Sequence, residues 1–121
     1  MALIGENLDE ILKMATSLGE GIRRHPRYVA LRAADNRVRE DKAATDALEA
    51  YNQAAGEMAR KERAGQPIEV EDKRKMEHLH QVVAANETVK SFVRAQADYA
   101  ELMKKMNDAI FGGITGPDGE E

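Results

Sequence analysis

Three histidines are the residues of this 121-residue chain best equipped for chemistry: His25, His78 and His80. His78 and His80 stand two apart. A helix turns about 100° per residue, so it sends them about 200° apart and one ion cannot hold both. Glu77 and His80 have the Glu-x-x-His spacing of di-iron bundles, but those bundles use it twice, with further inward glutamates. Here it occurs once. Glu77 also points roughly 140° away from the apolar Met76–Leu79–Val83 face. The spacing predicts a solvated Glu77 and a boundary His80 rather than a metal site. Cysteine is absent, which excludes a thiolate metal site, a cysteine nucleophile and a disulfide framework. There is no Gly-x-Gly-x-x-Gly, no Walker lysine loop and no Gly-x-Ser-x-Gly elbow. Gly19 and Gly21 bracket Glu20 inside a helical pattern with no strand before them. They read as close helix packing or a local weak point, not a phosphate cradle. No pair of carboxylates is singled out for acid–base work. The expectation is no catalytic residue, no cofactor site and no metal ligand.

The basic residues are the next candidates. Arg23, Arg24, Arg27, Arg32, Arg37 and Arg39 crowd one segment, against Asp35, Glu40 and Asp41. Arginine forks suit phosphate or carboxylate partners. The ordinary reading is surface charge with pairs such as Arg37–Asp41 at i,i+4. The functional reading makes Arg23, Arg24, Arg27 and Arg32 a partner surface. Smaller clusters stand at Arg60, Lys61, Arg63 and at Lys73, Arg74, Lys75. The formal net charge is −4, which argues against a dedicated nucleic-acid binder. RNA contact, the alternative reading, would be weak, electrostatic and salt-sensitive.

Helices must position these groups. Aromatics make up only 4% of residues and there are three prolines, so the core must come from aliphatic side chains and alanine, a mixture that suits helices. The first helix is predicted to start at Asn7, with Asp9 and Glu10 in its first turn and Leu8, Ile11, Leu12, Ala15, Leu18 and Ile22 on its apolar face. It stops at Arg24–His25, because the residue before Pro26 is pushed out of the α region. Pro26 opens a second helix lined by Tyr28, Leu31, Ala34 and Val38. Asp41 caps a third, or the second runs on through a kink. Ala44, Leu48, Tyr51, Ala55 and Met58 repeat at steps of four and three, and Ala47, Ala54 and Ala55 permit close approach of a neighbour. Gly65 and Pro67 stop that helix. A fourth runs from about Val70 with Met76, Leu79, Val82 and Val83, until Asn86 ends it or caps the next.

The last helix, Glu87 to Phe111, carries the clearest pattern. Phe92, Gln96, Tyr99, Met103, Met106 and Ile110 recur at steps of four and three, flanked by Val89, Val93 and Ala100. The candidate core or oligomer stripe is Val89, Phe92, Tyr99, Met103, Met106 and Ile110. Twenty-five helical residues span about 37 Å, against a radius of gyration of roughly 14 Å for a compact chain of this size. The molecule is therefore expected to be elongated, with part of the stripe buried against a second copy. Residues 1–111 read as one all-α domain of four or five helices. Residues 112–121 have the composition of a disordered tail. No signal peptide and no membrane-length apolar run is recognisable, which fits a cytoplasmic protein.

Three segments together resemble the YlbF/YmcA family of small helical bacterial regulators. They are Ala15-x-x-Leu18-Gly19-x-x-Ile22 followed by His25-Pro26-x-Tyr28-x-x-Leu31, then Gly65-x-Pro67-Ile68, then Asn86-x-x-Val89-x-x-Phe92 continuing to Ile110. The resemblance covers about Leu8 to Ile110. It implies two long amphipathic helices joined as an antiparallel hairpin, a dimeric and cytoplasmic protein, and no enzymatic activity. It further implies a regulatory adaptor that works through protein contacts in competence, sporulation and biofilm formation, and in mRNA processing by RNase Y. Certain members are associated with iron–sulfur clusters through cysteines. This chain has no cysteine, so that property does not transfer.

Overall fold

The structure is a computed structural model and describes residues 7–117. Five helices follow one another: α1 (Leu8–Arg24), α2 (Pro26–Glu40), α3 (Lys42–Arg63), α4 (Val70–Ala85) and α5 (Glu87–Thr115). No strand occurs among the described residues. The expected all-α class is observed.

Three of the four junctions are a single extended residue. His25, Asp41 and Asn86 have ψ of 140°, 104° and 123°. Each ends one helix and starts the next. Each side chain turns forward to accept a backbone N–H that the new helix leaves free. His25 Nδ1 accepts from Arg27 N at 3.0 Å. Asp41 Oδ1 accepts from Ala44 N at 3.2 Å, and Asn86 Oδ1 from Val89 N at 2.9 Å. Pro26 sits in the first turn of α2, where its missing N–H costs nothing. Asn7 precedes α1 as expected, but its side chain makes no cap bond. Its carbonyl oxygen accepts from Glu10 N and Ile11 N instead.

The fourth junction reverses the chain. Gly65 takes φ +73°, the left-handed region that glycine enters without steric cost. Gln66 N then reaches Lys61 O at 2.8 Å and Gly65 N reaches Glu62 O at 3.2 Å, closing α3 in the Schellman manner. At the start of α4, Glu69 N donates to Asp72 Oδ2 at 2.9 Å, and the same oxygen accepts from Lys61 Nζ at 2.7 Å. That carboxylate caps α4 and ties it to α3.

The hairpin expected of two long helices is built from two broken arms. α2 and α3 form one, α4 and α5 the other. Partner numbers descend as the first arm ascends: Arg27 meets Glu101, Tyr28 meets Tyr99, Asp41 meets Thr88, Tyr51 meets His80 and Lys61 meets Asp72. The arms are therefore antiparallel, and their breaks at Asp41 and Asn86 stand level with each other. Thr88 Oγ1 donates to Asp41 Oδ2 at 2.7 Å across this elbow. Around it lies the core: Val38, Ala44 and Val89 are buried, with Leu48, Val83 and Phe92 packed against them. Of the alanines expected to permit close approach, Ala47 and Ala54 are buried, together with Ala44, while Ala55 is half-buried. Small residues let the arms lie close, and they also keep the core thin.

One boundary differs from expectation. α5 continues four residues past Phe111, through Gly112 and Gly113, and ends at Gly116 with φ +80°. The composition of that stretch hid a helix whose own hydrogen bonds persist, Gly116 N to Gly112 O at 3.0 Å included. The remainder of the expected tail, residues 118–121, and the first six residues lie outside the described part. At 29 residues, α5 is about 44 Å long.

Candidate protein interface

The helix with the strongest segregation of apolar from polar residues is the one that packs least. α1 has no buried residue. Leu8, Ile11, Leu12 and Leu18 share a face by their spacing and are all exposed, Leu8 to 60%; Met14 is exposed as well. α1 meets the hairpin only at its C-terminal turns, where Gly19, Ile22 and Arg23 line a groove of about 260 Å³ with Tyr28 and Tyr99. Gly19 and Gly21 do not serve close packing within this chain. A Cβ at either would meet nothing within 4 Å.

The second unfilled face belongs to α5. Arg27, one residue into α2, pairs with Glu101, so the first arm ends at that level. α5 runs on for nearly another four turns, to Thr115. The α5 stripe divides there. Val89 and Leu102 are buried, and Phe92 and Tyr99 are half-buried under α2 and the elbow. Met103 and Met106 are half-buried, while Ile110, Phe111 and Ile114 are exposed, Ile114 to 74%. Gln96, on the same stripe by spacing, is exposed. Leu102, which the four–three count passed over, is the most deeply buried large side chain of this helix's far half.

The arginine segment does not form one free surface. Arg27 Nη1 donates to Glu101 Oε1 and to Asp98 O, both at 3.2 Å. Arg32 Nη1 donates to the Tyr28 hydroxyl at 3.2 Å, with its guanidinium carbon 5.9 Å from the ring centroid. That hydrogen bond, with the tyrosine's charge, raises the Arg32 pKa further. Tyr28 in turn packs on Tyr99, with centroids 5.7 Å apart. Arg23 and Arg24 are exposed at the end of α1. The anticipated Arg37–Asp41 pair does not form. Asp41 sits outside the helix as a cap, and its two oxygens are taken by Ala44 N and Thr88. Those hydrogen bonds, Thr88 first and Ala44 second, hold the Asp41 carboxyl below its ordinary value. Arg39 pairs with Asp35 at 3.0 Å instead.

Nothing in the described residues brings reactive groups together. Glu77 is exposed and accepts from Gln81 Nε2 at 3.2 Å. His78 is exposed. His80 is exposed beside Tyr51, centroids 6.3 Å apart. Among the described residues no three His, Asp or Glu side chains converge as metal ligands. With no cysteine in the chain, the donor set does not fit an iron–sulfur cluster. No helix among the described residues is long and apolar enough to cross a membrane.

The fold and its open faces define a class: a helical hairpin whose features are surfaces for contact. The chain belongs to the YlbF/YmcA family, described as control of competence regulator ComK, whose model matches residues 11–115. Among solved structures, it is similar to a chain in the crystal structure of Bacillus subtilis RicA in complex with RicF. That match has a TM-score of 0.80 at 19% identity and covers 88% of this chain and 94% of the other. A search among curated proteins gives no match.

Proposed function

We propose that this chain is a non-enzymatic regulatory adaptor of the cytoplasm. It acts by presenting the apolar face of α1 and the overhanging end of α5 to other helical proteins, its own twin included. One observation carries the reading. α1 is a 17-residue amphipathic helix that buries none of its residues within the chain. In proteins the stability of a helix comes mostly from packing of its amphipathic face, so the apolar face of α1 is made to be covered. The α5 overhang is a second such face of similar length. Two unfilled helix faces at one end of a rod suit a reciprocal pair, in which each copy's α1 lies on the other's α5. Family membership supports a regulatory role, and RicA, which shares the fold, is itself seen in a complex with RicF.

Analytical ultracentrifugation tests this directly. At ten micromolar the wild type should sediment at twice its chain mass of 13.4 kDa. Leu12→Glu combined with Ile114→Glu should leave the hairpin's helicity and sediment as a monomer. A wild type that stays monomeric up to hundreds of micromolar, and that captures no partner through α1, would overturn the reading. Arg23 and Arg24 flank this face and are candidates for steering a partner. Reversing them should slow association more than it weakens the complex. A gel shift with RNA at about 50 mM salt, the most permissive condition, separates the electrostatic RNA reading from this one.

A further inference from the structure

A separate feature lies at the elbow, between α4 and α5. His80, Val83, Ala84, Val89, Lys90, Val93 and Arg94 line an open groove of about 450 Å³. Its floor is valine and alanine, and its polar rim is a histidine, a lysine and an arginine. Arg94 also faces the neighbouring groove between α2 and α5, which Arg27 and Arg37 line as well. The acids nearby are Glu87, in an exposed pair with Lys90 at 3.4 Å, and Asp98 at the far end of the second groove. Such an exposed pair holds its lysine weakly.

Val93, on the floor of this groove, is exposed to 55% on a helix. Valine is a poor helix former because its branched side chain loses rotamer freedom there. At an exposed position it returns little packing within the chain. An alanine or lysine would serve the isolated fold better, so this valine is suited to something outside it. The open, all-aliphatic floor lacks the convergent polar groups that orient a small cofactor. It also lacks an aromatic platform for bases.

We propose that the elbow groove of His80, Val83, Val93 and Arg94 docks an acidic amphipathic helix of a partner protein. Its leucine-type side chains fill the valine floor, and its flanking carboxylates meet Lys90 and Arg94. Helix-in-groove recognition of this kind reads apolar anchors at i, i+3, i+4 and i+7. The cationic rim selects acidic over basic helices by charge repulsion as much as by attraction. The site is distinct from the α1 face, and a loss of self-association would leave it intact.

The test uses the full chain with an 18-residue helical peptide carrying leucines at that spacing and glutamates beside them. Methyl NMR should give saturable shifts at Val83, Val89 and Val93. Lys90→Glu with Arg94→Glu should weaken binding by about tenfold or more. Val93→Ala should weaken binding while leaving helicity equal or higher, an opposition that a purely structural valine would not give. A peptide with lysines in place of the glutamates should not bind. Equal binding of the lysine peptide, shifts confined to α1, displacement of the peptide by a single-stranded RNA twelve-mer, or unchanged binding by Val93→Ala would each overturn the proposal.

Discussion

Leu102→Ala and Ile114→Ala remove comparable side chains from α5, and the two should behave in opposite ways. Leu102 is 6% exposed and lies next to Glu101, the level at which α2 begins. Truncation to alanine removes three carbons, about 2.4 kcal/mol of transfer free energy at ~0.8 per carbon. A cavity contribution adds to this. With partial relaxation of the site the total should stay at about 2–3 kcal/mol. For a chain of this size, one kcal/mol moves the melting midpoint by roughly 3–5 °C, so the fall should be about 10 °C. Ile114 is 74% exposed, so only about a quarter of its burial is at stake, roughly 0.5 kcal/mol. Alanine's better helix propensity offsets most of that. Circular dichroism melts at 1 µM should therefore show a large loss for Leu102→Ala and almost none for Ile114→Ala. At 100 µM, a self-associating wild type gains stability by mass action, and Ile114→Ala should then fall behind it. If Leu102→Ala costs under about 1 kcal/mol, the two arms do not pack as described. If Ile114→Ala tracks the wild type at both concentrations, the overhang is not a contact surface between copies.

Acid should loosen the hairpin at its two tied carboxylates. Asp72 is held below its ordinary value of 3.8 by Lys61 first and by Glu69 N second, and Asp41 by Thr88 and then Ala44 N. A carboxyl depressed in the folded state stabilises it above the unfolded pKa and loses that contribution as pH falls through the folded value. The melting midpoint should therefore drop as pH falls below about 3.8, and Asp72→Asn should flatten part of that dependence. Gly65→Ala forces an L side chain into φ +73° and should cost about 1–2 kcal/mol in urea unfolding. Gly21→Ala has open space for its Cβ and should raise α1 helicity by up to about 1 kcal/mol. A loss of helicity there would mean that α1 is held by contacts the open space does not suggest.

The helix breaks were legible because each is dictated locally. Pro26 bars His25 from the α region, and Asp41 and Asn86 are good cap residues standing before apolar runs. Their levelling across the hairpin was not legible. Nothing near Asp41 in sequence announces that Thr88, forty-seven residues on, will donate to its second oxygen. The same non-local bond explains why the expected Arg37–Asp41 pair is absent: an i,i+4 rule assumes that both residues are inside a helix, and a cap residue is outside it. The role of His25 was missed for a related reason. Histidine is an unusual cap, and its Nδ1 reaches Arg27 N only because Pro26 has already set the direction of the chain.

The interface was legible in type and illegible in extent. A four–three period states which side of a helix is apolar, whereas coverage depends on where the opposing arm stops. The stripe of α5 is one unbroken pattern in sequence, yet α2 begins only opposite Glu101. Val89 and Leu102 therefore become core while Ile110 and Ile114 become surface. The arginines obey the same logic. Their crowding is a property of the chain, but Arg27 and Arg32 are engaged by Glu101 and Tyr28, leaving Arg23 and Arg24 outward. Two faces of equal hydrophobicity can thus differ wholly in role, and the difference is set by the register of a hairpin whose turn lies some forty residues away at Gly65. Moving that register by a single turn through insertion or deletion in the link would exchange covered positions for open ones without altering either stripe. For this reason the Leu102 and Ile114 pair tests the geometry of the surface more sharply than any substitution in the arginine segment.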